Sequence, residues 1–263
     1  MSAENGKKNM RFIKGFYEIY ENNWNDFEFI RVPKPLFFYN DSNGDCFIVM
    51  ERVCPPSQSS DSRFSDLESS SIQTLFGAHP TSFLDAGPRG KFIGYEGILS
   101  LIEDYGAVDV GTNSNDVLYR ISLELGRWLG LINWEFKFDG SDIEFILGKE
   151  CDKDGTLNVW CIDFGMVNSF ENNESGGESI ANALEAVEYF PLGNRCAYDL
   201  DSCSEKDIQE EQKMAICFWS EYRKFTPSQE IFESIFAEIF SDFYGENIVN
   251  ARNYILSGIQ YIE

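Results

Sequence analysis

NWEFKFDGSDIEFILGKECDKDGTLNVWCIDFG, residues Asn133 to Gly165, is the stretch from which the rest of the chain is read. Ile143, Phe145 and Leu147 alternate with polar or small residues, and so do Leu157, Val159 and Cys161. That is the period of half-buried strands. Between them, Lys149 to Gly155 is a polar reversal whose Asp154-Gly155 supplies the turn. The spacing predicts a β-hairpin. It would bring the start of the first strand, with Asp139, Asp142 and Glu144, beside the end of its partner, with Asp163. The competing reading is an acidic turn in water at 139–144 and a turn-capping aspartate before Gly165.

Upstream, Asn115 or Asp116 can cap a helix, and Leu118, Ile121, Leu125, Trp128, Leu129 and Ile132 recur at helical spacing. Arg120 and Arg127, seven apart, share a face of that helix, where they either neutralise the acidic turn or stay solvated. Trp134 is expected to pack in the core. Further back, the serine-rich stretch 57–74 reads as a linker or loop. Pro33 and Pro35 force VPKPLFFY (32–39) into an extended segment, which pairs across a polar turn with CFIVMERV (46–53). MRFIKGFYEIY (10–20) suits a helix weakened by Gly15. A short helix is expected around 98–105.

Downstream come a polar loop at 168–179 and a helix from Ile180 to Tyr189, stopped by Phe190-Pro191. Three apolar helical stripes follow. The first is Ile208, Ala215, Phe218, Trp219 and Tyr222. The second runs from Ile231 through Phe236 to Phe243, and the third from Ile248 to Ile262, with Pro227 and Gly245 between them. A mixed sheet followed by helices predicts an α+β chain. Its divisions are a helix and hairpin at 1–56, a Ser-rich linker at 57–90, and a mainly helical part at 91–263.

With 263 residues, 43% of them hydrophobic and 15% aromatic, the chain can build a sizeable core. Its net charge of −23 repels phosphate backbones and anionic lipid, which argues against nucleic-acid and membrane partners and leaves a basic protein partner open. Seven cysteines without a Cys-x-x-Cys, and one histidine, His79, give no zinc set and no Ser-His-Asp or Cys-His arrangement. Cysteines in apolar runs read as buried free thiols of a reducing compartment. Neither an apolar leader nor a membrane-length run is visible, so a cytoplasmic or nuclear protein is expected.

Four stretches carry a family likeness: VPKPLFFY with FIVMERV, GPRGKFIGYEGILSLIEDYG, LGRWLGLINWEFKFDGSDIEFILG, and VWCIDFGMV followed by VEYFPLGN. Together they resemble the fungal family called domain of unknown function 3669, whose members often carry a zinc-finger label. The likeness runs from about residue 32 to about 194. That family in turn resembles the kinase and aminoglycoside-phosphotransferase folds. The resemblance implies a degenerate kinase-like fold with a truncated N-terminal lobe, joined to the larger lobe by Met50-Glu51-Arg52. It puts Asp139 at the catalytic aspartate, Glu144 where kinases have the metal-binding Asn, and Asp163 at the metal-binding aspartate of the Asp-Phe-Gly motif. Asp142, Glu144 and Asp163 would be the Mg²⁺ set.

The chain departs from that pattern. No glycine-rich loop and no strand lysine precede Met50, although Glu18 or Glu21 could stand at the ion-pair glutamate. Asn133-Trp134 replaces the usual His. The expectation is a non-catalytic protein-interaction module with no cofactor, bound to a protein partner or self-associating through the aromatic C-terminal helices. The alternative is a Mg²⁺- and ATP-dependent phosphotransferase or nucleotide-binding protein using Asp139, Glu144 and Asp163.

Overall fold

The helix α1, Ser114–Gly130, is the axis of the fold. Its apolar positions Leu118, Ile121, Leu125, Trp128 and Leu129, with Ile132 in the next turn, are all essentially inaccessible. In this computed structural model the described residues are 13–18, 20–23, 27–40, 46–54, 114–140, 143–150, 158–162, 205–244, 253 and 256–258. The Ser-rich linker, the helices expected near 98–105 and 180–189, the loop at 168–179, His79, Asp142 and Asp163 lie outside them.

One side of α1 receives the N-terminal helical residues 13–18 and 20–23. The Trp128 indole meets Phe16, Tyr20 and Phe27 edge-on, with ring centroids 4.9, 5.9 and 5.6 Å away. Edge-to-face contact suits the positive rim and negative face of aromatic rings. Against α1 also lies α2, Glu205–Arg223, through Phe218 and its neighbours. Pro227 separates α2 from α3, Gln229–Tyr244. Trp219 of α2 and Phe236 of α3 meet at 5.2 Å.

A four-stranded sheet lies beside the helices in the order β1 (Ile30–Arg31), β6 (Asn158–Ile162), β5 (Glu144–Glu150), β4 (Val53–Cys54). β5 and β6 form the expected antiparallel hairpin, with Glu144 opposite Ile162 and Gly148 opposite Asn158. β1 joins β6 in parallel. The alternation predicted for β6 is only half realised: Val159 and Cys161 are buried, but so are Asn158 and Trp160. Side chains on both faces of β6 are buried, so the strand has no solvent side for an alternation to mark.

The segment 46–53, read as one strand, is two. β3, Cys46–Met50, pairs with β2, Pro35–Asn40, as a separate two-stranded sheet. After Glu51 and Arg52 the chain crosses to the larger sheet, where Val53 pairs with Glu150. Met50-Glu51-Arg52 is therefore the joint between the sheets. The described residues are mixed helix and strand, mostly helix with two small sheets, which is compatible with an α+β chain. Among them, no helix is long and apolar enough to cross a membrane.

Candidate functional site

The carboxylate turn begins where α1 changes pitch. Leu131–Glu135 continue it as a π-helix, closed by Phe136 N–H donating to the Leu131 carbonyl at 3.1 Å. Such wide turns put an extra residue into a helix and often occur at functional positions. The chain then leaves the helix through Lys137 at φ 62°, and reaches Gly140 at φ 73°. A lysine in the left-handed region carries steric strain that a glycine does not.

Asn133 holds this exit in place. Its amide donates to the carbonyls of Phe138, at 2.8 Å, and Asp139, at 3.2 Å. Its own oxygen accepts from the Tyr222 hydroxyl of α2 at 2.9 Å, and that hydroxyl accepts from Trp134 Nε1 at 3.2 Å. Tyr222 is fully buried, and burial pushes its hydroxyl well above the ordinary phenol range, so it stays protonated and donating. Trp134, expected in the core, is buried and tied to this relay. Lys137 reaches back to the Trp134 carbonyl and lies over the Trp134 ring.

Asp139 is 8% exposed, between the strained exit and the start of β5. Glu144 opens β5 opposite Ile162, one residue before Asp163, so the backbone register is the one expected of the hairpin. The side chain of Glu144, with Asp142 and Asp163, lies outside the described residues. Among the described residues, no three His, Cys, Asp or Glu side chains gather as a metal site.

The arginines serve other carboxylates. Arg120 pairs with Glu28 and lies over the Phe29 ring at 5.3 Å, and Arg127 pairs with Glu221 of α2 at 3.2 Å. These pairs join α1 to its packing neighbours, while Asp142 and Asp163 of the turn lie outside the described residues.

Two residues that sequence reasoning missed organise the surroundings. Glu124 is 9% exposed; its carboxylate accepts the backbone N–H groups of Glu28, Phe29 and Ile30 at 2.7, 2.8 and 2.9 Å. It pins the approach to β1 onto α1. The available signal was position: Glu124 falls three residues after Ile121, inside the apolar stripe. Tyr222 carried a signal too, as the polar-tipped member of an otherwise apolar stripe. Cys161 and Cys217 are free thiols, as expected of cysteines in apolar runs. Burial pushes Cys161 far up and Cys217 to about 11, so neither is a ready nucleophile. The Cys161 sulfur accepts from Trp128 Nε1 at 3.1 Å.

Set against family models, curated proteins and solved structures, the chain matches none of them.

Proposed function

We propose that the chain is a non-catalytic protein-interaction module on a degenerate kinase-like scaffold, and that its partner is a basic protein. The observation that carries this reading is the bulged edge of the β2–β3 hairpin. The register shifts between Pro35 and Phe37, so Leu36 and Phe37 both turn to the surface, each 55% exposed. Covering two such side chains is worth roughly 1–2 kcal/mol each, since about half of each is already out of water. A chain of net charge −23 steers basic partners toward such a patch and repels acidic ones. The order α1, wide turn, Asp139, β5–β6 hairpin and α2, with Met50–Arg52 joining two sheets, supports the scaffold part of the reading.

A photo-crosslinking residue at position 36 tests it. The expected product is a crosslink to a lysine- and arginine-rich protein, lost when Phe37→Asp is added while the unfolding midpoint holds. A crosslink to an acidic protein, or one indifferent to Phe37→Asp, refutes the reading.

A second reading, a Mg²⁺-dependent nucleotide-binding protein or phosphotransferase, is favoured by the strained backbone around Asp139. Asp139 would be its base, with Asp142, Glu144 and Asp163 holding the metal. ATP or GTP at about 100 times its dissociation constant stabilises a fold by about 2.7 kcal/mol. A Mg²⁺-dependent rise in unfolding midpoint that disappears in Asp163→Asn favours this reading. An unchanged midpoint at millimolar nucleotide counts against it.

A further inference from the structure

β5 has a second end. Opposite Glu144, at Glu150, it borders a cavity of about 410 Å³. A strand of seven residues separates the two ends by about 20 Å, so this cavity is remote from the Asp139 turn. Its size is at the lower end of small-molecule sites.

Aromatic rings and carboxylates dominate the lining. Tyr17 and Tyr20 come from the N-terminal helical residues and Trp160 from β6; the carboxylates are Glu21, Glu51 and Glu150. Arg31 and Lys34 also line it, but they do not make an anion cradle. The Arg31 guanidinium is turned onto the chain, where Nη1 donates to the carbonyls of Ile30 at 2.9 Å and Phe27 at 3.4 Å. Lys34 is exposed, and its backbone N–H is held by the Glu51 carboxylate at 3.3 Å.

The field beside Tyr17 is negative: burial and then Glu21 and Glu51 push its hydroxyl up to about 12. Burial raises Tyr20 as well, against Arg31, with Glu124 and Glu150 adding smaller contributions. Aromatic faces next to carboxylates attract an organic cation. The remaining clue is Trp160. It is 2% exposed, and its Nε1–H is buried with no hydrogen-bond partner. A buried donor without an acceptor is costly, and an oxygen brought by a ligand would recover that cost.

We propose that this cavity binds a small organic ammonium ion carrying an oxygen acceptor a few bonds from its nitrogen. The nitrogen lies among Glu21, Glu51 and Glu150 against the tyrosine faces, and the oxygen turns toward Trp160. Two sources share this chemistry: a free amine of the amino-acid-amide kind, and the first residue of a polypeptide, with its ammonium and first carbonyl. The site does not depend on what the Asp139 turn does.

Calorimetric titration of the full chain tests it, using glycinamide, a glycine-led tripeptide amide, methylammonium and acetate. Glycinamide is expected to saturate with a dissociation constant of about 1 mM or tighter, and to weaken about tenfold in Glu51→Gln and in Glu150→Gln. Methylammonium, which lacks the acceptor, binds more weakly, and Trp160→Phe removes that difference. Equal binding of the tripeptide amide assigns a polypeptide N-terminus; exclusion of the tripeptide assigns a free amine. Lys34→Ala guards against variants that fail to fold. It holds or tightens an ammonium ligand, whereas an anion site would lose its ligand. No saturation by either amide at about 50 mM, acetate binding as well as glycinamide, or loss of binding in Lys34→Ala overturns the proposal.

Discussion

Glu124 shows how much one side chain can organise. Two of its three backbone donors, Phe29 and Ile30, are buried, and losing acceptors there costs about 1–3 kcal/mol. Glu124→Gln keeps the shape but turns an amide N–H toward a backbone N–H, so a loss of about 2 kcal/mol in chemical denaturation is expected. The carboxyl is raised above its ordinary value, because burial outweighs the hydrogen bonds from Ile30 and Phe29 and the attraction of Arg31 and Arg120. The folded state therefore holds the proton to higher pH than the unfolded chain, and Glu124's contribution falls as pH rises through that interval. The stability gap between wild type and Glu124→Gln should shrink from mildly acid to neutral pH. A gap that widens would show the hydrogen bonds dominating.

At this scale the sequence is legible only where a side chain breaks a pattern. Glu124 inside an apolar stripe does so. Asn133 does not, because a side chain that holds backbone carbonyls five and six residues away leaves no periodic trace. Asp139 was placed near the start of a strand, but what holds its carbonyl was not legible there: the Asn133 amide that donates to it is itself held by Tyr222 of α2, far downstream.

Among the elements, the contact of α1 with α2 rests on small residues. A methyl group at Gly126 would stand 2.1 Å from the Phe218 carbonyl oxygen, and one at Gly130 would stand 2.6 Å from the Phe225 ring. The backbone cannot yield as a flexible side chain can. Gly126→Ala should therefore destabilise by about 1–3 kcal/mol despite alanine's better helix propensity, whereas Gly15→Ala, which meets nothing within 4 Å, should be neutral or slightly stabilising. Equal midpoints for the two variants would contradict the close crossing. LGRWLG displays this pair of glycines four apart, yet their purpose appears only when the partner helix is known. β1 was invisible for a different reason: two residues are too few to show any period. The break after Met50 was equally hidden, since only pairing of Val53 and Cys54 with β5 moves the chain to another sheet.

For the whole molecule, charge and core pull in opposite directions. A net charge of −23 repels itself most when the chain is compact. Raising salt from about 20 to about 200 mM shortens the Debye length several-fold, so the unfolding midpoint should rise. A falling midpoint would instead make ion pairs such as Arg127–Glu221 the larger effect. Against the repulsion stands one aromatic core, in which Trp219, Phe232 and Phe236 of the stripes expected to support self-association are already buried. Composition announced that core correctly, because 23 Phe and 12 Tyr must be hidden somewhere.

The parallel pairing of β1 with β6 also has a consequence during synthesis. Ile30 pairs with Val159, a partner about 130 residues later in the chain, and the intervening loop must close before that pair forms. At about 5–20 residues per second, a ribosome takes of the order of ten seconds to deliver the second partner after the first. Throughout that interval Phe27, Phe29 and Ile30 have been made but have neither β6 nor, at first, α1 to cover them. The newborn chain thus passes through a window of exposed apolar surface whose length is set by translation, and slower codons before β6 would prolong it.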